Sequence, residues 1–263
     1  MVELQLIGGG RMGEALLAGL LAAEWAPAGQ IRVVERLSSR RRELATRFPG
    51  VDVGPDVGAA PGAVIAVKPA DVPEAVSGAC RAGVERILSI AAGVTLGRLQ
   101  SAAGAGVAIV RAMPNTPALI GAGVAAVAAG SAATEADLEW AEGILRSVGE
   151  VVAVPEHLLD AVTGLSGSGP AYVFLVAEAL AEAGVLAGLP RDISEKLTHQ
   201  TLLGSARLLM ETDQGAEELR QAVTSPAGTT AAGLRVLEQA GIRAAFIDAV
   251  IAARDRSSEL GDS

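Results

Sequence analysis

The chain has 263 residues, a formal net charge of -9 and a pI near 4.8. That length suits two modest domains or one large one, and the acidic balance argues against a nucleic-acid partner. The single cysteine, Cys80, excludes a disulfide framework and a cysteine metal site. His157 and His199 lie far apart in the sequence, so no metal site is predicted.

The chain begins with a strand and a glycine turn. Leu4–Ile7 reads LQLI and predicts a short strand, GGGRMG follows at once, and residues 14–23 predict a helix. A G-x-G-x-x-G motif is informative in this context, between a strand and a helix. Gly8 permits the tight turn, Gly10 lets a pyrophosphate approach the backbone, and Gly13 lets helix and strand pack closely. The phosphates of a dinucleotide would then lie on the free N–H groups of the helix.

The second predicted strand ends in an acidic residue. Residues 31–35 read IRVVE, and Glu35 lies 22 residues after Gly13. An acid about 20 residues beyond the glycines is expected to bind the ribose 2′-hydroxyl of NAD. Arginines and serines follow it and are able to hold the 2′-phosphate of NADP instead: Arg36, Ser38, Ser39, Arg40, Arg41 and Arg42. The arginine run is equally typical of a solvated helix face, so the cofactor is NADH or NADPH, with the choice open.

Strand-like and helix-like runs alternate up to Pro155. The predicted strands after the second are 63–67, 86–90, 107–111, 123–129 and 150–154, and the predicted helices are 39–48, 71–81 and 135–148. Alternation of this kind predicts an α/β fold with a doubly wound, mostly parallel sheet of the Rossmann type. We therefore expect a dinucleotide-binding domain over residues 1–155.

Beyond Pro155 the patterns predict helices only, over residues 172–186, 193–210, 228–239 and 243–260. An all-helical domain over residues 156–263 makes a thin core and is expected to complete its burial against a second copy of the chain. No signal peptide is predicted, and the uncharged stretch 114–134 contains prolines and glycines that disfavour a spanning helix. The expectation is a cytoplasmic homo-oligomer that does not enter a membrane.

Loops of small residues and proline follow several predicted strands, where doubly wound folds bind ligands. They are GGGRMG, VKP at 67–69, AAGV at 91–94 and AMPNTP at 112–117. Lys68 is the only titratable candidate among them, and a lysine there is more typical of a solvated strand end than of a catalytic group. Asn115 is a candidate hydrogen-bond partner of the nicotinamide ribose.

A helix entry late in the chain offers a carboxylate site without a basic side chain. In TSPAGTT, residues 224–230, Ser225 is expected to cap a helix and Pro226 to be its first residue. The N–H groups of Gly228, Thr229 and Thr230 would then be available to an anion.

Six motifs occur in order across nearly the whole chain: GGGRMG, VKP, SIAAGV, RAMPNTPALIGAG, TGLSGSGPAY and TSPAGTT. Together they resemble the pyrroline-5-carboxylate reductases, the last enzymes of proline biosynthesis. The resemblance implies a helical dimerisation domain that interlocks with a partner, and a site between one subunit's cofactor domain and the partner's helices. It also implies that 1-pyrroline-5-carboxylate is bound by Ser225, Gly228, Thr229 and Thr230, with Thr230 near the ring nitrogen. Ala227 departs from the family, which often has glycine there.

The cofactor residues follow from the glycine motif and the resemblance. They are Gly8, Gly10, Arg11, Met12, Gly13, Glu35, Arg36, Val67, Lys68, Pro69, Ala92, Gly93 and Asn115. Few titratable groups are needed, because a protonated cyclic imine already accepts a hydride. Positioning alone can contribute roughly 7–11 kcal/mol to lowering the barrier.

Three alternatives remain at this point. A hydroxyacid dehydrogenase related to the 6-phosphogluconate enzyme would share Gly164, Gly167 and Gly169. That family has lysine and asparagine where this chain has Val173 and Ala177, so the acid that protonates an alkoxide is missing. The others are another imine reductase and a nucleotide-sensing module without turnover.

Overall fold

The computed structural model describes residues 1–262 and contains one eight-stranded sheet. The strands are β1 (Leu4–Ile7), β2 (Ile31–Val34), β3 (Asp52–Gly54), β4 (Gly62–Ile65), β5 (Arg86–Ser89), β6 (Ala108–Pro114), β7 (Gly123–Ala129) and β8 (Gly149–Ala153). Their order is β3-β2-β1-β4-β5-β6-β7-β8, and only the β6–β7 pair is antiparallel. The predicted fold class, a doubly wound and mostly parallel sheet, is confirmed.

Six helices accompany the sheet or follow its last strand. They are α1 (Arg11–Ala22), α2 (Ser38–Arg47), α3 (Val72–Arg81), α4 (Leu96–Ala103), α5 (Glu135–Arg146) and α6 (Leu159–Val162). α5 begins with a capping box, because Thr134 accepts from the Asp137 N–H and the Asp137 carboxylate accepts from the Thr134 N–H. A π-helical segment, Thr163–Gly167, follows α6.

The remaining helices are α7 (Gly169–Leu186), α8 (Arg191–Glu211), α9 (Ala216–Ala222), α10 (Thr229–Gln239) and α11 (Ile242–Asp262). The strands and helices found by periodicity are present with small shifts of their ends. The sequence patterns did not predict β3, α4, α6 and α9. β6 also runs to Pro114, three residues beyond its predicted end, because its ladder with β7 continues to Ala125.

Two large clusters of apolar side chains, with a third and smaller one at β7, form the core on the sheet. One large cluster contains Leu6, Leu16 and Leu88, and the other large cluster contains Ile65, Val76 and Ile109, and each of these side chains has no exposed surface. Strands buried on both faces read as continuous apolar runs, as β1 and β4 do. This burial holds the glycine turn after β1 in place.

The chain divides into two compact units. The first, the sheet unit, contains Met1–Ser168 together with the carboxyl-terminal residues from Ile251 onward, and the second, the helical unit, is Gly169–Val250. The last strand ends at Ala153, and the described residues after it form helices and turns. The domain boundary at residue 155 stays a prediction. The last residue of the predicted second domain, Ser263, lies outside the described residues.

By length and composition alone, one stretch of the described residues is able to cross a membrane. It is Glu156–Leu186, in which an 18-residue window has a mean hydropathy of 1.4 and 6% of that window is buried. It includes the π-helical segment and α7, whose large side chains Phe174 and Leu175 are exposed. An exposed apolar helix is equally typical of a subunit contact.

Candidate functional site

The candidate cofactor site lies at one edge of the sheet. β1, β2, β4, β5 and β6 are parallel neighbours, so their carboxyl ends lie at the same edge. The chain leaves β1 and β4 in opposite directions along the sheet order, which is the switch point at which such folds bind nucleotides. The structure therefore brings the loops after these strands together, as expected from the motifs.

The three motif glycines differ in the space around them. A Cβ on Gly8 would lie 2.4 Å from the Ala66 carbonyl oxygen, and one on Gly13 would lie 2.1 Å from the Gly8 carbonyl oxygen. Gly8 also has a φ of +112°, which favours glycine. A Cβ on Gly10 would meet nothing within 4 Å. Two glycines are thus required by packing, and the third leaves open space beside the backbone.

Helix α1 begins directly after Gly10, which is its N-cap and has no capping side chain. The first N–H groups of a helix, here those of Arg11, Met12 and Gly13, have no acceptor within the helix. The helix dipole adds a partial positive charge at the same point. The start of α1 therefore suits a pyrophosphate, which fits a dinucleotide.

A cleft of about 700 Å³ extends from this turn along the ends of β1, β2 and β4. Its lining includes Gly8, Gly10, Glu35, Arg36, Val67 and Lys68. The remaining predicted cofactor residues, Arg11, Met12, Gly13, Pro69, Ala92, Gly93 and Asn115, do not line it. Within the sheet unit the cleft is large enough for a mononucleotide portion of the cofactor.

Glu35 is half-buried at the carboxyl end of β2, and backbone donors hold both of its oxygens. Oε2 accepts from the Gly9 N–H at 3.1 Å, and Oε1 accepts from the Leu37 N–H at 2.8 Å. Gly9 is not among the residues predicted from the sequence. A Cβ there would lie 2.6 Å from Leu44 Cδ1, so a side chain at this position would require Leu44 to move. The carboxylate therefore joins the glycine turn to the loop after β2.

The arginine run contains residues of different kinds. Arg40 Nε donates to the Gly9 carbonyl oxygen at 2.8 Å, and its guanidinium also contacts Glu14 and Glu43. Hydrogen bonds that the Arg40 guanidinium donates to Glu43 and then to Glu14 raise the pKa of Arg40, so the guanidinium stays charged. Arg41 donates to the carbonyl oxygens of Glu35 and Arg36 at 2.9 and 2.7 Å. Of the three arginines at 40–42, only Arg42 is exposed, as expected for a solvated helix face.

The loops after β4, β5 and β6 contain the other predicted cofactor residues. Lys68 is exposed, and Pro69 begins a single turn of 3₁₀ helix. Gly93 has a φ of +72°, and a Cβ there would lie 3.5 Å from Leu260. Asn115 is buried, and its Oδ1 accepts from the Val124 N–H at 2.9 Å. That hydrogen bond ties the loop to β7, so a ribose contact by Asn115 would use its amide N–H₂ group or the second lone pair of Oδ1.

The π-helical segment, Thr163–Gly167, is not among the site residues that the sequence predicts. A Cβ on Gly167 would lie 2.6 Å from Met113 Cε, so the segment packs on the end of β6. π-helical turns are rare and are frequent at functional sites. The signal in the sequence is the glycine-rich run GLSGSG, which contributes to the family resemblance and contains the glycines shared with the hydroxyacid dehydrogenase alternative.

An ion pair between Arg111, in β6, and Glu156 lies next to the loop after β5. Arg111 is 6% exposed and donates to Glu156 Oε1 at 2.9 Å. The same oxygen accepts from the Leu96 N–H at 2.6 Å, at the start of α4. Pairing and an additional donor are what a buried charge requires. β6, α4 and the segment after β8 are thus joined at one carboxylate.

The predicted substrate segment, residues 225–230, lies in the helical unit. α10 begins at Thr229 with Gly228 as its N-cap, so the expectation that Ser225 caps the helix and Pro226 begins it was wrong. The Gly228 N–H donates to the Ser225 carbonyl oxygen at 3.0 Å, which removes it as a free donor. The N–H groups of Thr229 and Thr230 remain in the first turn, without an intrahelical acceptor.

The turn before α10 is tightly built. Ala227 has a φ of +56°, a region that favours glycine, so the glycine that the family often has there would adopt this turn with less strain. A Cβ on Gly228 would lie 2.3 Å from Ser225 Oγ. Ser225 and Thr229 are exposed and Thr230 is half-buried. The roles of these four residues in substrate binding remain predictions.

Comparisons with known proteins agree with the motifs. A family described as pyrroline-5-carboxylate reductase dimerisation matches residues 156–260, and one described as NADP oxidoreductase, coenzyme F420-dependent, matches residues 3–93. The pyrroline-5-carboxylate reductase of Synechocystis sp. is 48% identical over 99% of this chain and 98% of its own length. That of Corynebacterium melassecola is 42% identical over 99% of both.

Solved structures give the same result. A pyrroline-5-carboxylate reductase from Coxiella burnetii superposes with a TM-score of 0.93 at 37% identity, covering 100% of this chain and 99% of that one. The Plasmodium falciparum pyrroline carboxylate reductase, solved with NADP bound, gives a TM-score of 0.86 at 29% identity, over 99% and 98% of the two chains. The chain therefore belongs to the pyrroline-5-carboxylate reductase family.

Proposed function

We propose that this protein reduces the C=N bond of 1-pyrroline-5-carboxylate to give proline, with NADH or NADPH as the hydride donor. The observation that supports coenzyme binding is the glycine turn. Neighbouring backbone leaves no room for a side chain at Gly8 and Gly13, whereas the space beside Gly10 is open to a ligand. The substrate part is supported by full-length similarity to named reductases.

Within the sheet unit, each predicted cofactor residue has a proposed role. The backbone from Gly8 to Gly13, with Arg11 and Met12, holds the pyrophosphate at the start of α1. Glu35 and Arg36 contact the adenosine ribose at the end of β2. The loops after β4, β5 and β6 hold the nicotinamide end, through Val67, Lys68, Pro69, Ala92, Gly93 and Asn115.

Within the helical unit, the first turn of α10 holds the substrate. The N–H groups of Thr229 and Thr230 donate to its carboxylate, and the helix dipole favours the negative charge. The Thr230 hydroxyl hydrogen-bonds the ring nitrogen, and Ser225 and Gly228 shape the turn around it. These contacts orient a group that is already electrophilic once its nitrogen is protonated.

The nicotinamide, when bound, supplies the hydride that adds to the imine carbon. The carbon–nitrogen π bond opens toward the nitrogen, which already carries the added proton, and the product is a neutral ring amine before any further protonation. The residues of this chain bind and orient the two reactants, and such positioning lowers the barrier without a histidine or cysteine at the site.

We also propose that the protein works as a homodimer or larger homo-oligomer in the cytoplasm. The exposed apolar side chains of α7 and α8, among them Phe174, Leu175 and Leu208, suit a contact with a second copy. The match to a dimerisation family over residues 156–260 supports this assembly.

The direct test is oxidation of NADH and NADPH by the purified protein, with and without pyrroline-5-carboxylate, together with detection of proline. We expect oxidation that depends on the imine. A 2-hydroxyacid with the oxidised coenzyme is the matched control for the dehydrogenase alternative. Turnover of the hydroxyacid but not of the imine would overturn the proposal.

A further inference from the structure

We propose that this chain selects NADH over NADPH and that Glu35 is the residue that decides it. The proposal deepens the function proposed above and rests on it, because it concerns the adenosine ribose of the same coenzyme. It arises from the hydrogen bonds and charges around the end of β2, which distinguish a ribose with two free hydroxyls from one that carries a phosphate.

The Glu35 carboxylate is fixed and lines the cleft. Each oxygen accepts one backbone N–H, from Gly9 at 3.1 Å and from Leu37 at 2.8 Å. A carboxylate offers about four acceptor positions, so each oxygen retains one. A ribose hydroxyl can donate to such an oxygen, whereas a phosphate brings only acceptors and more negative charge. Rotating the carboxylate away from a phosphate would break both backbone bonds.

The neighbouring arginines are already engaged. Arg40 contacts the Gly9 carbonyl oxygen, Glu14 and Glu43, and Arg41 contacts the carbonyl oxygens of Glu35 and Arg36. These contacts hold the glycine turn and the loop after β2 in place. A bidentate grip on a 2′-phosphate by either guanidinium would therefore disrupt the site that binds the rest of the coenzyme.

Arg36 is the strongest argument for the opposite preference. It lines the cleft, and its guanidinium lies 3.0 Å from Glu74 Oε2 and 3.6 Å from Asp71 Oδ1. Its side chain is 63% exposed, and surface pairs of this kind are weak, so Arg36 is able to turn toward a phosphate. Doing so would leave two carboxylates unpaired beside that phosphate.

The charges that line the cleft favour the coenzyme with fewer phosphates. The carboxylates are Glu35, Asp56, Asp71 and Glu74, and the cations are Arg36, Lys68 and Arg81. The acids outnumber the bases before any ligand binds. A 2′-phosphate would add further negative charge next to the one carboxylate that cannot turn away. Repulsion at Glu35 therefore outweighs the attraction that Arg36 can offer.

The test measures binding to the full-length protein by calorimetry, with NADH and NADPH titrated separately and no imine present. We expect the Kd of NADH to be lower than that of NADPH by at least about tenfold. The same titrations on Glu35→Gln, which removes the charge and keeps the size, should show a several-fold tighter Kd for NADPH and a smaller ratio.

Glu139→Gln is the matched control. It removes one exposed carboxylate from α5, and Glu139 does not line the cleft. Its ratio of the two Kd values should equal that of the natural chain, and thermal melting of each variant without coenzyme checks that it folds. Equal shifts in both variants would show a general charge effect and would overturn the role of Glu35.

The two Kd values of the natural chain already test the preference for NADH over NADPH. Equal binding of the two coenzymes, or tighter binding of NADPH, would overturn the inference and leave the proposed reaction standing. Binding of neither coenzyme would overturn both. An unchanged ratio in a folded Glu35→Gln variant would assign the preference to another residue and overturn the inference as stated.

Discussion

The sheet unit and the helical unit differ in how they bury their apolar side chains. In the sheet unit, large side chains such as Leu16, Ile65 and Leu88 have no exposed surface. In Gly169–Val250, the residues classed as buried are Ala181, Ser194 and Thr198, whereas Phe174 is 61% exposed and Met210 79%. The first unit contains its own core, and the second presents apolar helix faces that require a partner.

The largest expected effect tests whether the helical unit is incomplete by itself. Phe174→Asp places a charge on the apolar face of α7, and burying that charge against a second copy is unfavourable. We expect the dimer to weaken by at least about 2 kcal/mol, the range of a residue central to an interface. Sedimentation over a range of protein concentrations measures the change.

Coenzyme affinity should stay the same in Phe174→Asp, since the cleft residues belong to the sheet unit. Arg191→Gln, an exposed polar change at the start of α8, is the control and should leave the assembly intact. A Phe174→Asp protein that sediments like the natural chain would show that this face is not the contact.

The next effect tests the chemical role proposed for the helical unit. Thr230→Val keeps the shape of the side chain and removes the hydroxyl. We expect the barrier to rise by about 1–3 kcal/mol, as when a buried polar partner is lost, with roughly a tenfold to hundredfold fall in kcat/KM. Steady-state kinetics with the imine measures it.

Thr230→Ser is the matched control, because it keeps the hydroxyl and should retain most of the activity. The Kd of the coenzyme should be the same in both variants. If Thr230→Val retains full activity, or loses it only through weaker coenzyme binding, the hydroxyl has no role in the reaction.

A third effect separates packing from binding in the sheet unit. Gly13→Ala puts a Cβ 2.1 Å from the Gly8 carbonyl oxygen, a backbone atom that cannot easily move. We expect the free energy of unfolding to fall by about 1–3 kcal/mol, as for an overpacked core. Urea unfolding followed by circular dichroism measures the change.

Gly10→Ala is its counterpart, since a Cβ there meets no protein atom within 4 Å. Its Tm should be that of the natural chain while its coenzyme affinity falls, because the new methyl group occupies space beside the backbone at the start of α1. A loss of stability in Gly10→Ala without a loss of affinity would contradict this assignment.

The smallest effect concerns the loop after β6. Asn115→Ala removes the acceptor of the Val124 N–H, and we expect the free energy of unfolding to fall by about 0.5–1.5 kcal/mol without coenzyme present. Thr116→Ala, an exposed change at the next residue, should leave it unaltered. An unchanged stability in Asn115→Ala would mean that water replaces the lost acceptor.

How far the sequence predicted the fold depended on the burial of each element. β1 and β4 are buried at every residue, so their continuous apolar runs were readable in the sequence. β3 has three residues and lies at the sheet edge, and α4, α6 and α9 are short, so none of them leaves a long periodic pattern. Their formation depends on neighbours that are distant in the chain.

The sequence by itself determined the glycine turn, the acid at the end of β2 and the motifs that assign the family, because local spacing and residue type encode them. Only the tertiary structure decided that Arg40 and Arg41 hold the turn, that Gly9 donates to Glu35, and that Gly228 rather than Ser225 caps α10. The physical reason is that a side chain's hydrogen-bond partners are set by which backbone groups lie near it in space. The sequence separations here range from 6 residues, for Arg41 and Glu35, to 31, for Arg40 and Gly9.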